Sequence, residues 1–402
     1  MSTQLRADMT ERTPSRVASI DIFRGLTMAL MIFVNALSEV PGLPWWNYHA
    51  PAKVDAMTYP DVVFPLFLFA VGLSLPLAVA QRLRRTASTF ALWRHVLERF
   101  AGLLVLGLIL ANAGMCDATR TGMNGNLWAL LGLLGGVLYL HVPPRAPRWQ
   151  RLSRLLRWVG LAGVVVLFAL FRRTTGQGHT AWISTSYPEI LGLIAFSYLG
   201  VCLLYLPTRR YRWAAPAWCL VMTVFCALTT AHWIRLDLPL YEWPFSNGSM
   251  CCLIFGGIFV SSLFTGERPS PRAVPLALSF GLAALAAGWL LAPLGISKIR
   301  ATPAWTLWSL GAGVLAFVLL YWICDRRGHT AWAGWVHAAG ANTLLTYLLP
   351  DLWYFALAWA GITFYDAHWR YGPLGVLKTL LFTGLMLALA GLLTRARLRL
   401  QL

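Results

Sequence analysis

The 402-residue sequence predicts an all-α, polytopic integral membrane bundle of about 12 transmembrane helices with both termini cytoplasmic. Hydrophobic residues make up 58% of the chain and charged residues only 12%, whereas a soluble domain carries about a quarter charged residues. Apolar runs recur from Gly25 to Leu393, and about 20 such residues cross roughly 30 Å of hydrocarbon at 1.5 Å per residue. The runs are continuous rather than alternating, and in lipid that pattern selects helices over a closed barrel.

The runs fall at 18–38, 60–80, 98–114, 126–141, 158–172, 188–206, 214–231, 248–264, 273–293, 305–323, 338–358 and 373–393. They divide the chain into a cytoplasmic N-terminal segment, 1–17, one transmembrane domain, 18–393, and a cytoplasmic tail, 394–402. The first run continues into "LTMALMIFVNAL" without a small-residue cleavage site, so it reads as an uncleaved anchor. Pro65 and Pro76 flank Gly72 in the second run; prolines free backbone carbonyls and kink helices, so a cavity is expected there. The connection "HVPPRAPRWQRLSRLLRW" interleaves arginines with leucines and tryptophans, as an amphipathic segment on an anionic lipid surface does. The seven cysteines form no C-x-x-C pair and read as packing residues, with no metal site. No repeat relates the two halves, which counts against an inverted-repeat transporter.

A net charge of +18 raises the question of nucleic acid. Its distribution answers otherwise. With a cytoplasmic N-terminus, 23 basic residues fall on inward connections and 8 on outward ones, the asymmetry of the positive-inside rule. The predicted partners are membrane lipid and no nucleic acid, and the predicted location is the cell (inner) membrane.

Chemistry-bearing residues gather in the first outward connection. His49 sits in a short loop stiffened by Pro41, Pro44 and Pro51, and Asp61 opens the helix that follows. Imidazole exchanges protons near neutral pH, and a neighbouring carboxylate orients it. Asn35 lies 11 residues beyond Arg24, about 16 Å along a helix, which brings it to the same face as His49 and Asp61. Its amide can support an oxyanion. The competing reading makes His49 an interface residue among Trp45, Trp46 and Tyr48, since aromatics favour membrane boundaries. Lys298 and Arg300 stand on the outward side against the charge trend, as a group holding an acidic sugar or as ordinary caps. Asn342 and Asp351 lie in or at the end of the eleventh run and are expected to face the bundle interior. Asp21 and Arg24, three apart at the first helix start, form a pairing unit at the cytoplasmic end.

In combination, "SIDIFRGLTMALMIFVN", a histidine followed by alanine, and "YPDVVFPLFLFAVGLS" resemble the start of the heparan-α-glucosaminide N-acetyltransferase family of membrane acyltransferases. "PEILGLIAFSYLGVCLLYL", "GISKIRATPAWTLW" and "GANTLLTYLLPDLWYF" resemble its bacterial branch in the same order. The resemblance implies transfer of an acetyl group from cytoplasmic acetyl-CoA to a sugar amine or hydroxyl on the outer side. It places His49 at the family's catalytic histidine and Asn35 at the asparagine beside it. Asp61 matches the aspartate of the D-[LV]-V-F-P block, and Asp21 and Arg24 match D-x-F-R-G, on the coenzyme side. Lys298, Arg300 and Asn342 are expected on the acceptor side. A homodimer is implied by the same analogy. Gly192 and Leu193 stand where relatives carry Gln-Arg, a departure that bears on the coenzyme contacts. Direct attack and transient acetylation of His49 both fit these residues. The alternative function from another class is a transporter or flippase for a glycan or lipid-linked sugar.

Overall fold

A computed structural model describes residues 17–86, 88–144, 146–235, 243–265, 270–364 and 368–400. Arg6, Arg12, Arg16, Arg145 and Arg268, counted above among inward charges, lie outside the described residues.

The described chain is almost wholly helical: α1 Ala18–Ser38, α2 Tyr59–Thr86, α3 Thr89–Asn112, α4 Gly125–Leu140, α5 Pro147–Leu170, α6 Glu189–Thr208 and α7 Ala214–Thr230, then α8 Ser249–Phe264, α9 Ala273–Leu290, α10 Pro303–Tyr321, α11 Gly334–Ala341, α12 Thr343–Trp359 and α13 Gly372–Arg395. The one sheet among the described residues is a two-stranded hairpin, β1 Arg173–Thr174 with β2 Thr180–Ala181. Among the described residues, eight helices are long and apolar enough to cross a membrane, and α4, α7 and α8 are shorter apolar helices. The protein is an all-α polytopic membrane protein. Every expected run coincides with helix, because each can satisfy its backbone internally.

Two expectations about those runs need correction. The arginine-rich connection is no separate surface segment: Pro147, in the first helical turn, begins one continuous helix that carries the arginines directly into the apolar half of α5. Proline is accepted there because the first N–H groups of a helix lack intrahelical partners anyway. The run at 338–358 is broken, since Asn342 takes φ −132° and ψ 53° and separates α11 from α12.

Helix α8 is the axle of the bundle. It is buried along nearly its whole length and packs against α2, α6, α7, α9 and α10. Lipid offers no hydrophobic drive between helices, so close van der Waals contact decides which faces meet. Gly72 lies in such a contact, and the cavity on α2 opens near Pro60, Val63 and Phe64. A Cβ on Gly72 would lie 2.1 Å from the Ile254 carbonyl oxygen, and one on Gly257 would lie 2.2 Å from that of Phe69. The two glycines let α2 and α8 touch backbone to backbone. By contrast α5 leaves Trp158, Val159, Val165 and Val166 exposed, an apolar face that suits lipid.

Six of the seven cysteines are buried packing residues. Asp325 caps the first helix from the far end of the chain, accepting from the Ala18 and Ser19 N–H groups at 2.7 and 3.0 Å. α1, whose two ends carry the candidate residues, is thereby fixed to the π-helical end of α10, Trp322–Arg326.

Candidate active site

The α1–α2 connection is held by its own side chains. The Tyr48 hydroxyl donates to the Val40 carbonyl at 2.6 Å and accepts from the Leu43 N–H at 2.9 Å, which folds the proline-rich turn back on the end of α1. Thr58 Oγ1 lies 2.7 Å from the Tyr48 carbonyl and 3.1 Å from Asp61 Oδ2, bridging loop and helix. His49 therefore sits on a stiff support.

Asp61, in the first turn of α2, is completely buried. Its Oδ2 accepts from the Ala50 N–H at 3.2 Å and the Thr58 N–H at 2.9 Å, while its Oδ1 meets His49 Nδ1 at 2.7 Å. The Trp305 indole N–H donates to the Asp61 backbone carbonyl at 3.0 Å, tying α10 to the same turn. A carboxylate beside Nδ1 assigns the ring proton to that nitrogen and leaves the Nε2 lone pair for chemistry. His49 keeps about a third of its side chain exposed against none for Asp61.

The open nitrogen has a neighbour. Lys298 Nζ lies 3.1 Å from His49 Nε2 and 3.4 Å from Nδ1. Burial pushes the Lys298 ammonium below the ordinary lysine range, an effect that the carboxylates of Asp61 and Glu189 oppose. Its loop is rigidly built: the Ser297 N–H donates to Thr302 Oγ1 at 3.0 Å and the Asn247 amide donates to the Ala301 carbonyl at 2.8 Å. Gly295, at φ +96°, makes the turn into it. Arg300 is not in the His49 cleft. It pairs with Asp55, whose Oδ1 also accepts from the Ile296 N–H at 3.1 Å. These contacts hold the Asp55 carboxyl below its usual range and clamp the Lys298 loop to the His49 loop.

Asn35, exposed and with no side-chain hydrogen bond among the described residues, lines the His49–Lys298 cleft as expected. With Met31 and Ile190 it also lines a cavity of about 740 Å³ next door, within the common size range of ligand sites. Asp21 and Arg24 form an ion pair at 3.8 Å near the opposite end of α1, and Arg24 also donates to Thr343 Oγ1 at 3.5 Å. Asn342 stands apart from all of these. Its buried amide donates to Thr394 Oγ1 at 3.1 Å and the Leu398 carbonyl at 2.9 Å, and its oxygen accepts from the Leu400 N–H at 3.1 Å. That side chain is spent on holding the C-terminal segment.

The structure also brings in residues that sequence reasoning did not place at the site. Glu189, Asp351 and Tyr347 all line the larger cavity. Glu189 is the first residue of a helix, where an acid reads as a routine cap, but its backbone φ of 60° is unusual for a non-glycine residue.

Residues 16–249 match the family described as "Domain of unknown function (DUF5009)". The chain belongs to this family. His49, Asn35 and Asp61 all fall inside the family region, whereas Lys298 reaches the site from beyond it. The chain is also similar to heparan-alpha-glucosaminide N-acetyltransferase of Homo sapiens, 36% identical over 103 residues, 26% of this chain and 15% of that protein. The Mus musculus protein of the same name is 30% identical over 116 residues, 29% of this chain and 17% of that protein. The match thus spans about a sixth of the length of these relatives, and the resemblance read from the sequence motifs is to the same family of enzymes.

Proposed function

We propose that this family member is a transmembrane acyltransferase that passes an acetyl group from cytoplasmic acetyl-CoA to an amine or hydroxyl of a sugar on the outer side of the membrane. The observation that carries the reading is the His49–Asp61 contact at 2.7 Å, in which a fully buried carboxylate orients a partly open imidazole. Similarity to N-acetyltransferases supports the reaction class.

In this reading Asp61 holds the Nδ1 proton, so His49 Nε2 takes the proton of the attacking acceptor and returns it to the departing sulfur. Such a placed base contributes about 10² to 10⁴ in rate. Asn35 and the Lys298 ammonium donate toward the oxygen that gains charge as the thioester carbonyl is attacked. Arg24, held by its ion pair with Asp21, and the arginines at the inward ends supply charge complementary to the coenzyme's phosphates. Direct attack is the route preferred here, and transient acetylation of His49, which uses the same Nε2 lone pair, is the alternative.

The deciding experiment reconstitutes the full chain in vesicles loaded with acetyl-CoA and follows its consumption with an amino sugar outside. His49→Ala is expected to abolish transfer in a chain that still folds, with a lowered melting temperature because the buried Asp61 Oδ1 loses its partner. Full transfer by His49→Ala overturns the reading. Sugar movement without any use of acetyl-CoA supports the transporter alternative instead.

A further inference from the structure

Arg82 lies near the end of α2, about 30 Å along the helix from Asp61 at 1.5 Å per residue. Ser88 caps the helix that follows, accepting from the Ala91 N–H at 3.2 Å, so α3 starts within a few residues of Arg82. His95 and Arg99, four apart on α3, share one face. α6 packs beside that face. The Arg99 guanidinium lies over the buried Tyr198 ring, 4.8 Å from its centroid, and Phe100 meets Phe196 edge-on at 5.2 Å. Arg82, His95 and Arg99 stand within one another's electrostatic reach, and Arg85 adds a further positive charge to Arg82.

This charge is poorly balanced. Glu98 is the acid within reach of Arg82, but it is exposed and pairs with Arg94 at 3.5 Å. Among the described residues no hydrogen bond or ion pair engages the Arg82 or Arg99 guanidinium, and the Arg99 Nε–H is buried without a partner. A buried donor left unmade is costly. A guanidinium stacked on an aromatic ring still presents its N–H edge, which fits a phosphate through two parallel hydrogen bonds.

We infer that Arg82, His95 and Arg99 form a site for the phosphate group of an anionic membrane lipid, set between α2, α3 and α6. Two guanidinium forks and an imidazole N–H donate to the phosphate oxygens, as basic pockets between membrane helices do for lipid headgroups. The flanking surface suits the rest of a lipid. Phe90 and Leu97 on α3 and Leu203 on α6 are exposed, an apolar border for acyl chains that a free phosphate ion would not use. The site needs nothing from the acyltransferase reading, and none of its three residues lines the cavity of about 740 Å³ beside the His49 cleft. A phosphate bound here ties α2, which carries Asp61, to α6, whose Ile190 lines that cleft.

The test follows melting of the full chain in a neutral detergent at constant pH with added phosphatidylglycerol, phosphatidylcholine or inorganic phosphate. Phosphatidylglycerol is expected to stabilise at a concentration at least about tenfold lower than phosphatidylcholine, with inorganic phosphate inert over the same range. Arg82→Gln and Arg99→Gln are each expected to erase most of that preference. Arg84→Gln, at an exposed position in the last turn of α2, is expected to keep it, and so is the unaltered chain with saturating acetyl-CoA. Equal action of the two lipids overturns the inference, as does a preference kept by both site variants or lost equally in Arg84→Gln. Stabilisation by inorganic phosphate at the lipid concentrations overturns it too, and a preference abolished by acetyl-CoA assigns the arginines to the coenzyme instead. If Arg99→Gln fails to fold, Arg82→Gln and the lipid comparison on the unaltered chain decide. Lipid preference in a chain that never consumes acetyl-CoA refutes the acyltransferase reading and leaves the lipid site standing.

Discussion

Lys298 Nζ lies 3.1 Å from His49 Nε2, so the nitrogen that Asp61 leaves free is covered by a cation drawn from a loop 249 residues away. An acceptor that reaches His49 must displace this ammonium. In the proposed reaction Lys298 moves toward the oxygen of the attacked carbonyl, so that ground-state cover and transition-state support are two positions of one side chain.

Lys298→Met is therefore expected to lower kcat by about 10² to 10³, the usual effect of removing one oxyanion donor, with a smaller change in KM. Steady-state acetyl transfer in detergent checks this. A rise in KM at unchanged kcat would make Lys298 a simple acceptor-binding group.

The same residue gives a stability prediction with a defined sign. Burial lowers the Lys298 pKa in the folded chain, whereas the unfolded chain keeps the ordinary value of about 10.4. Below the folded value both states carry the proton, and the burial penalty is present in full. Between the two values the unfolded state binds more protons, so stability rises with pH across that alkaline window. Thermal melts from pH 7 to 11 are expected to show this rise in the parent chain and to lose it in Lys298→Met. At pH 7 the variant is expected to melt no lower than the parent.

Asp61→Asn tests the other side of the imidazole. The asparagine amide cannot enforce the Nδ1-protonated ring, and in the best-studied triads the same change costs about 10⁴ in kcat. Asp61 also accepts two backbone N–H groups at a fully buried position. Leaving one of them unsatisfied costs about 1–3 kcal/mol, so loss of rate and a lowered melting temperature are expected together. An active, equally stable Asp61→Asn chain would remove the dyad from the mechanism.

What the sequence made legible follows the range over which each feature is determined. The helices were readable because a continuous apolar run fixes its own backbone hydrogen bonds. His49 and Asp61 were readable because a 12-residue, proline-stiffened connection leaves them few ways to be apart. Lys298 stood out by its charge against the topology, but its contact with His49 depends on how α10 packs against α2. The break at Asn342 was not readable, since it is made by hydrogen bonds to a segment over 50 residues further on. Glu189 hid behind its helix-start position, and its meeting with Asp351 depends on two helices far apart in sequence.

The Asp55–Arg300 pair is a clamp between loops rather than a source of stability. Both side chains are largely exposed, and exposed pairs contribute little to folding. Asp55→Asn is expected to leave the melting temperature nearly unchanged while acetyl transfer falls, because the Lys298 loop loses its tie to the His49 loop. The double exchange Asp55→Arg with Arg300→Asp is expected to recover part of the rate. Recovery only at low salt would identify the contact as electrostatic, with the screening that exposure implies.

Gly72 and Gly257 make the strongest structural prediction because their space is already taken. A methyl group on Gly72 would stand 2.1 Å from the Ile254 carbonyl oxygen, a rigid backbone atom that cannot turn aside. Gly72→Ala must therefore push α2 away from α8, and overpacking of this kind costs about 1–3 kcal/mol. α2 also carries Asp61 in its first turn and α10 reaches that turn through Trp305, so the displacement is transmitted to the His49 support. The expected result is a lower melting temperature together with reduced transfer. Gly114→Ala provides the contrast, since nothing lies within 4 Å of its added carbon. That variant is expected to melt and turn over like the parent chain. If Gly72→Ala behaves like Gly114→Ala, the backbone contact between α2 and α8 is not what sets the position of Asp61.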